Sequence, residues 1–190
     1  MGKTILVVMA SPRKNSNSSI LARQVGAGAE AGGASVECVS LHNLDIRPCT
    51  GCDACRNGPY CVIEDDMQAL YPKLRACDAL VLASPVYWFS VAAQMKTFVD
   101  RWYAFGGDQA YAALAGKRVG IVLTYGDADP FVSGAVNALR TLQDSFRYVG
   151  ATIVGAVYGS ASVPGEIRNN RALMEKATEL GKQLASGEPA

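Results

Sequence analysis

Only one histidine, His42, occurs in the 190 residues. A Ser-His-Asp mechanism or a metal site built from imidazoles has almost nothing to draw on, and a lone loop histidine reads as solvated, without a role. An excess of one charge is also missing. Lys and Arg total 18, Asp and Glu 17, and the formal net charge is +1. That balance gives no electrostatic reason to expect a nucleic acid or an anionic membrane as partner. No apolar run approaches the roughly 18 residues of a membrane-spanning helix. The first run, Ile5 to Met9, halts at Ser11-Pro12-Arg13-Lys14, too early for a secretory signal. It reads as a strand, and a cytoplasmic location is expected. The Gly-Lys-Ser/Thr phosphate loop of triphosphatases is absent, and no acid is placed to hold magnesium after that strand. Gly26-Ala27-Gly28-Ala29-Glu30-Ala31 matches G-x-G-x-x-A. It falls inside a helical stretch far past the strand, where a dinucleotide fingerprint has no meaning. None of the six cysteines has an arginine at the offset that a low-molecular-weight phosphatase loop needs.

What is present is apolar material in a regular order. Half the chain is hydrophobic (49%), 18% is charged and the mean hydropathy is +0.11, enough for a sizeable core. Apolar runs alternate with amphipathic stretches. Strands are expected at 4–9, 36–41, 79–83, 118–124 and 152–158. Helices are expected at about 18–31, 65–76, 92–103, 133–148 and 166–185. Between 45 and 64 nothing is periodic, and a loop of that length is usually functional. Strands apolar on both faces, each followed by a helix, predict a three-layer α/β sandwich around a parallel sheet. Five strands suit the flavodoxin-like order 2-1-3-4-5, here as one domain over 1–190 with the cysteine-rich loop inserted. A response-regulator receiver shares that order but needs acids where Ser11 and Ser84 stand. Ligands of such sheets sit beyond the carboxyl ends of the strands.

The segments at those ends carry the chemistry. After the first strand come Ser11, Arg13, Asn15, Ser16, Asn17, Ser18 and Ser19, leading into a helix. Free amides and neutral hydroxyls there suit a phosphate monoester, although an ordinary polar loop with a serine cap would look the same. The third strand runs into Pro85-Val86-Tyr87-Trp88-Phe89. Three successive aromatics in a loop cannot all be core, and they suit a planar ligand or a subunit contact. The fourth strand ends in Thr124-Tyr125-Gly126-Asp127. A phosphate tail and a flat head together describe flavin mononucleotide. Cys49, Cys52, Cys55 and Cys61 lie within 13 residues. Four thiolates can enclose a [4Fe–4S] cube or hold zinc, and a redox pair or an idle set of small residues fits the spacing as well. Cys38 and Cys77, among apolar neighbours, read as packing residues.

Several of these segments resemble one family. Ser11-Pro12-Arg13-Lys14-Asn15-Ser16-Asn17-Ser18 is similar to its S-P-R-x-x-[GS]-N-[ST] loop. Pro85-Val86-Tyr87-Trp88 with Lys96, Asp100 and Arg101 resembles its P-x-Y-W…K…D-R segment. The cysteine loop closing on Val62-Ile63-Glu64-Asp65-Asp66-Met67 is similar too. The family is the NADPH-dependent FMN reductases, and within it the iron-sulfur flavoprotein branch. The resemblance covers about residues 1 to 130. It implies that Ser11, Arg13, Asn15, Asn17, Ser18 and Ser19 hold the FMN phosphate, and that Pro85, Val86, Tyr87 and Trp88 line the ring, with Tyr125, Gly126 and Asp127 approaching from the fourth strand. Ser16 stands where many members have glycine. The last cysteine gap, five residues with Val62 following, departs from ferredoxins but resembles this branch, implying a [4Fe–4S] cluster on Cys49, Cys52, Cys55 and Cys61. The implied activity takes hydride from NAD(P)H and passes electrons to a small-molecule acceptor or a redox protein, in a homodimer or homotetramer. The competing reading is a non-enzymatic electron carrier, but flavodoxins tend to be strongly acidic and this chain is not.

Overall fold

In the computed structural model, residues 2–56, 58, 61–106 and 111–186 are described. Asn57, Pro59 and Tyr60 of the expected cysteine loop lie outside them. The strands are β1 Thr4–Met9, β2 Ser35–Ser40, β3 Ala79–Tyr87, β4 Ser90–Val91, β5 Arg118–Tyr125 and β6 Thr152–Ser160. The helices are α1 Asn17–Ala31, α2 Met67–Ala76, α3 Ala93–Asp100, α4 Ala135–Tyr148 and α5 Arg171–Ser186. The parallel strands run in the order β2-β1-β3-β5-β6. This is the flavodoxin-like order with one strand more than expected, because β4 pairs antiparallel with the end of β3.

That extra strand corrects the reading of 84–90 as a loop. β3 continues to Tyr87, and Tyr87 pairs with Ser90 across a two-residue turn of Trp88 and Phe89. Both turn residues have positive φ, 45° and 64°. Tight hairpins favour such dihedrals but normally place Asn and Gly there, so nothing in the local sequence signals the turn. Ser84 fastens its base: the hydroxyl accepts from Ala92 N (2.9 Å) and donates to Pro85 O (2.8 Å). The helix expected over 92–103 likewise stops at Asp100 and tightens into a 3₁₀ segment, Arg101–Phe105.

Alternate residues of each central strand feed two cores. Leu6, Val8, Leu80, Leu82, Ile121 and Leu123 pack under α2, α3 and α4. Ile5, Val7, Val81 and Val122 pack under α1 and α5. These are the three layers. Cys77 is buried as expected, but Cys38 is exposed, because β2 is an edge strand with no fully buried residue. The glycines of the false fingerprint have a packing role instead. A Cβ on Gly28 would lie 2.1 Å from Thr178 O, and one on Gly181 2.0 Å from Val25 O, so α1 and α5 touch through their backbones. Gly181→Ala should therefore lower stability by about 1–3 kcal/mol through overpacking, although alanine is the better helix former by about 1 kcal/mol. A urea denaturation midpoint measures the sign, and an unchanged or raised midpoint would refute the close approach.

Candidate active site

The loop between β1 and α1 is polar yet largely buried. Ser11, Ser16, Asn17, Ser18 and Ser19 are all buried, whereas Arg13 and Asn15 are exposed. Such burial requires partners. Ser16 caps α1: its Oγ accepts from Ser19 N (3.1 Å) and donates to Ser19 Oγ (2.8 Å), with Ser18 Oγ 3.3 Å away. Ile20 N donates to Ser16 O. Of the first four amides of the helix, those of Asn17 and Ser18 are thus left without an acceptor among the described residues, which is the condition for anion binding. Asn17 behaves differently from a phosphate donor in its side chain. Nδ2 donates to Ala161 O (3.2 Å) and Val163 O (2.9 Å), and Oδ1 accepts from Ile167 N (3.3 Å). It ties α1 to the loop after β6.

These segments enclose a cavity of about 240 Å³ at the carboxyl ends of the strands. Ser11, Arg13, Ser16 and Asn17 form one wall; Pro85, Val86 and Tyr87 a second; Thr124, Tyr125 and Gly126 a third. Ala161, Ser162 and Pro164, after β6, supply a fourth wall that has no motif in the sequence. Ser162 Oγ donates to Gly126 O (2.7 Å), and Glu166 accepts from Ser162 N and Val163 N (2.7 and 2.9 Å). This loop therefore has a fixed shape. Burial pushes the Tyr125 hydroxyl up, so it stays a hydrogen-bond donor at neutral pH.

The cysteine loop lies on the α2–α3 side of the sheet. Cys49, Cys52, Cys55 and Cys61 all line one small pocket, together with Ile63, Arg101, Tyr103 and others. Burial, then the neighbouring thiols of Cys61, Cys49 and Cys52, push the Cys55 thiol up. The Ala54 amide and the Thr50 hydroxyl hold that of Cys52 down. The neck of the loop is clamped. Asp65 accepts from Arg101 Nη1 (2.5 Å), Arg101 Nη2 (3.2 Å), Arg47 N (2.9 Å) and Met67 N (3.0 Å). Asp66 accepts from Asp45 N (2.7 Å), and Gln68 donates to Cys61 O and Ile63 O. The side chains of Asp65 and Arg101 are both 0% exposed. Burial opposes the charge on Asp65, but the Arg101 and Arg47 hydrogen bonds outweigh it and hold its carboxyl below the ordinary range.

The profile of the NADPH-dependent FMN reductases matches residues 4–165. The chain belongs to that family. An iron-sulfur flavoprotein of Archaeoglobus fulgidus is 35% identical over 180 residues, covering 94% of this chain and 77% of the relative. An iron-sulfur flavoprotein of Methanocaldococcus jannaschii is 28% identical over 189 residues, 95% of each chain. Among solved structures, an NAD(P)H:quinone oxidoreductase from Methanothermobacter marburgensis aligns over all of both chains with a TM-score of 0.75 at 16% identity, a likeness of fold.

Membership makes the chain an FMN-dependent oxidoreductase, and the cavity fits that cofactor: Ser11, Arg13 and the start of α1 offer polar donors on one wall, and Tyr87 and Tyr125 offer rings on two others. Of the residues that the family resemblance singles out, Ser11, Arg13, Asn17, Pro85, Val86, Tyr87, Tyr125 and Gly126 meet in the lining. Ser18 and Ser19 sit behind it, bonded to Ser16. Asn15 is exposed and outside it. Trp88, 92% exposed, and Asp127 also lie outside the lining, each one residue beyond a lining residue and therefore at the rim. The four thiols share a pocket. Among the described residues, however, no three His, Cys, Asp or Glu side chains are gathered as a single metal ion requires. Thiolates on one zinc lie about 3.8 Å apart, given Zn–S bonds of about 2.3 Å. Four thiolates are the donor set of a [4Fe–4S] cube as well as of a structural zinc.

Proposed function

We propose that the cavity holds FMN with its phosphate at the start of α1 and its ring between β3 and β5. The enzyme accepts reducing equivalents from NAD(P)H and passes them to a small-molecule acceptor or a redox protein. The observation that carries this reading is the joining, in one cavity, of Ser11, Arg13 and Asn17 at the start of α1 with Pro85, Tyr87 and Tyr125. FMN, when bound, supplies the two-electron chemistry. The protein's own work is to bind, orient and shield. Ser11, the Asn17 and Ser18 amides and the Arg13 guanidinium neutralise the anionic end, with Asn15 nearby and Ser19 bracing Ser16. Pro85, Val86, Tyr87 and Gly126 pack the ring, and protonated Tyr125 donates. Trp88 and Asp127 border its open side, where a nicotinamide or an acceptor arrives.

We further assign Cys49, Cys52, Cys55 and Cys61 as ligands of a [4Fe–4S] cluster, supported by their shared pocket and by the names of the relatives. A cytoplasmic homodimer or homotetramer completes the proposal. Among the described residues no helix is long and apolar enough to cross a membrane, and the balanced charge gives no electrostatic reason to expect nucleic acid as a partner.

Anaerobically purified protein should release about one FMN per chain on denaturation and oxidise NADPH with an added acceptor. It should also contain about four iron and four sulfide per chain. Cys52→Ala should lose the iron and sulfide and keep the FMN. A colourless protein that takes up no FMN at saturation defeats the flavin reading; flavin without iron defeats only the cluster.

A further inference from the structure

The pocket of the four thiols has a charged wall that the cysteines do not explain. Arg101 lines it with a side chain that is 0% exposed. A guanidinium carries five N–H donors. Four are used: Nη1 donates to Asp65 Oδ2 and to Arg47 O (2.8 Å), and Nη2 to Asp65 Oδ1 and to Ile63 O (3.4 Å). The fifth, on Nε, is buried and has no acceptor among the described residues. Arg101 and Cys61 line the same pocket, and the Arg101 Nη2 bond to Ile63 O sets the guanidinium beside the segment that carries Cys61. The Tyr71 hydroxyl donates to Arg101 O at 3.2 Å and fixes the backbone of that residue. A neutral thiol is a weak acceptor, whereas a thiolate bound to iron is anionic and accepts a charge-assisted bond. The unpaired Nε–H thus lacks what a ligated Cys61 would provide.

We infer that Arg101 Nε–H donates a hydrogen bond to the Cys61 sulfur of the iron–sulfur group and sets its reduction potential; this rests on the cluster reading above. Asp65 fixes the guanidinium edge, so Arg101 is held in place before any iron arrives. Reduction by one electron adds a negative charge to an already anionic group. A cationic donor stabilises the reduced form more than the oxidised one and raises the potential.

The test is an EPR-monitored reductive titration of the anaerobically purified holoprotein and of Arg101→Lys, which keeps a cation facing Asp65 but has no Nε–H. The reduced-to-oxidised ratio at a fixed potential should fall about tenfold in the iron-loaded fraction of the variant, a shift of about 59 mV to lower potential for one electron. In wild-type protein labelled with ¹⁵N at arginine Nε, pulsed EPR of the reduced cluster should show a ¹⁵N coupling. An iron-loaded variant with an unchanged potential overturns the inference and leaves the cluster standing. So does a wild-type cluster without the coupling, a measurement that needs no variant. Wild-type protein free of iron and sulfide overturns the cluster reading, and the inference falls with it.

Discussion

Asp65→Asn should lower the unfolding free energy by about 3–5 kcal/mol, the cost of leaving a buried charge without its partner. The Arg101 guanidinium is fully buried and stays protonated, since its hydrogen bond to Asp65 outweighs the burial that works against its charge. An amide keeps the volume of the carboxylate but offers one acceptor oxygen where Asp65 now serves four donor contacts. The loss is not confined to the pair. Arg101 also holds Arg47 O and Ile63 O, the two sides of the neck of the cysteine loop. Iron content should fall with stability. The pH dependence follows from the depressed pKa of Asp65. A carboxyl held below its ordinary value contributes stability that is complete above that value, about 3.9, and is lost as pH falls through its folded pKa. The gap between wild type and variant, measured by urea denaturation, should be full at pH 7 and close only below about pH 4. A gap of the same size at pH 3 and pH 7 would show that the carboxylate charge is not what stabilises the neck.

The same ion pair shows how far the sequence can be read. Asp65 and Asp66 look like acids favoured by a helix dipole, and Arg101 like one member of a familiar helical segment. That the first and last meet in the interior depends on α2 packing against the 3₁₀ segment after α3, where Tyr71 meets Arg101 O and Phe105, a tertiary fact with no local signature. The strands that form the sheet were legible because their apolar runs face helices on both sides, and β1 falls at Thr4–Met9 as expected. The β3–β4 hairpin was not, because Trp88 and Phe89 hold positive φ where turn chemistry calls for Asn and Gly. The consequence is functional. Extending β3 to Tyr87 keeps Pro85, Val86 and Tyr87 in the cavity wall and swings Trp88 out to solvent. Three walls of the cavity follow from where the strands end. The fourth, from Ala161 to Pro164, had no signal beyond small polar residues after the last strand. Its one clue was Asn17, a residue with a motif of its own and a different task.

That task leads to the largest expected effect on the flavin. Asn17→Ala removes three hydrogen bonds, two to Ala161 O and Val163 O and one from Ile167 N, and leaves the buried Ile167 amide unsatisfied. The expected cost in stability is about 1–3 kcal/mol. The FMN dissociation constant should rise roughly tenfold or more, about 1.4 kcal/mol per factor of ten. The variant keeps the α1 amides and the Ser16 cap, so the weakening reports the released wall rather than a lost phosphate contact. Arg13→Ala provides the contrast. Its side chain is exposed and its charge acts through solvent, so the loss of affinity should be smaller, should fade with added salt, and should leave stability unchanged. Fluorescence titration with FMN and urea denaturation of both variants separate the two. If Asn17→Ala instead binds FMN as tightly as wild type, the loop after β6 is not a wall of the flavin site, and the cofactor must be held by β1, β3 and β5 alone.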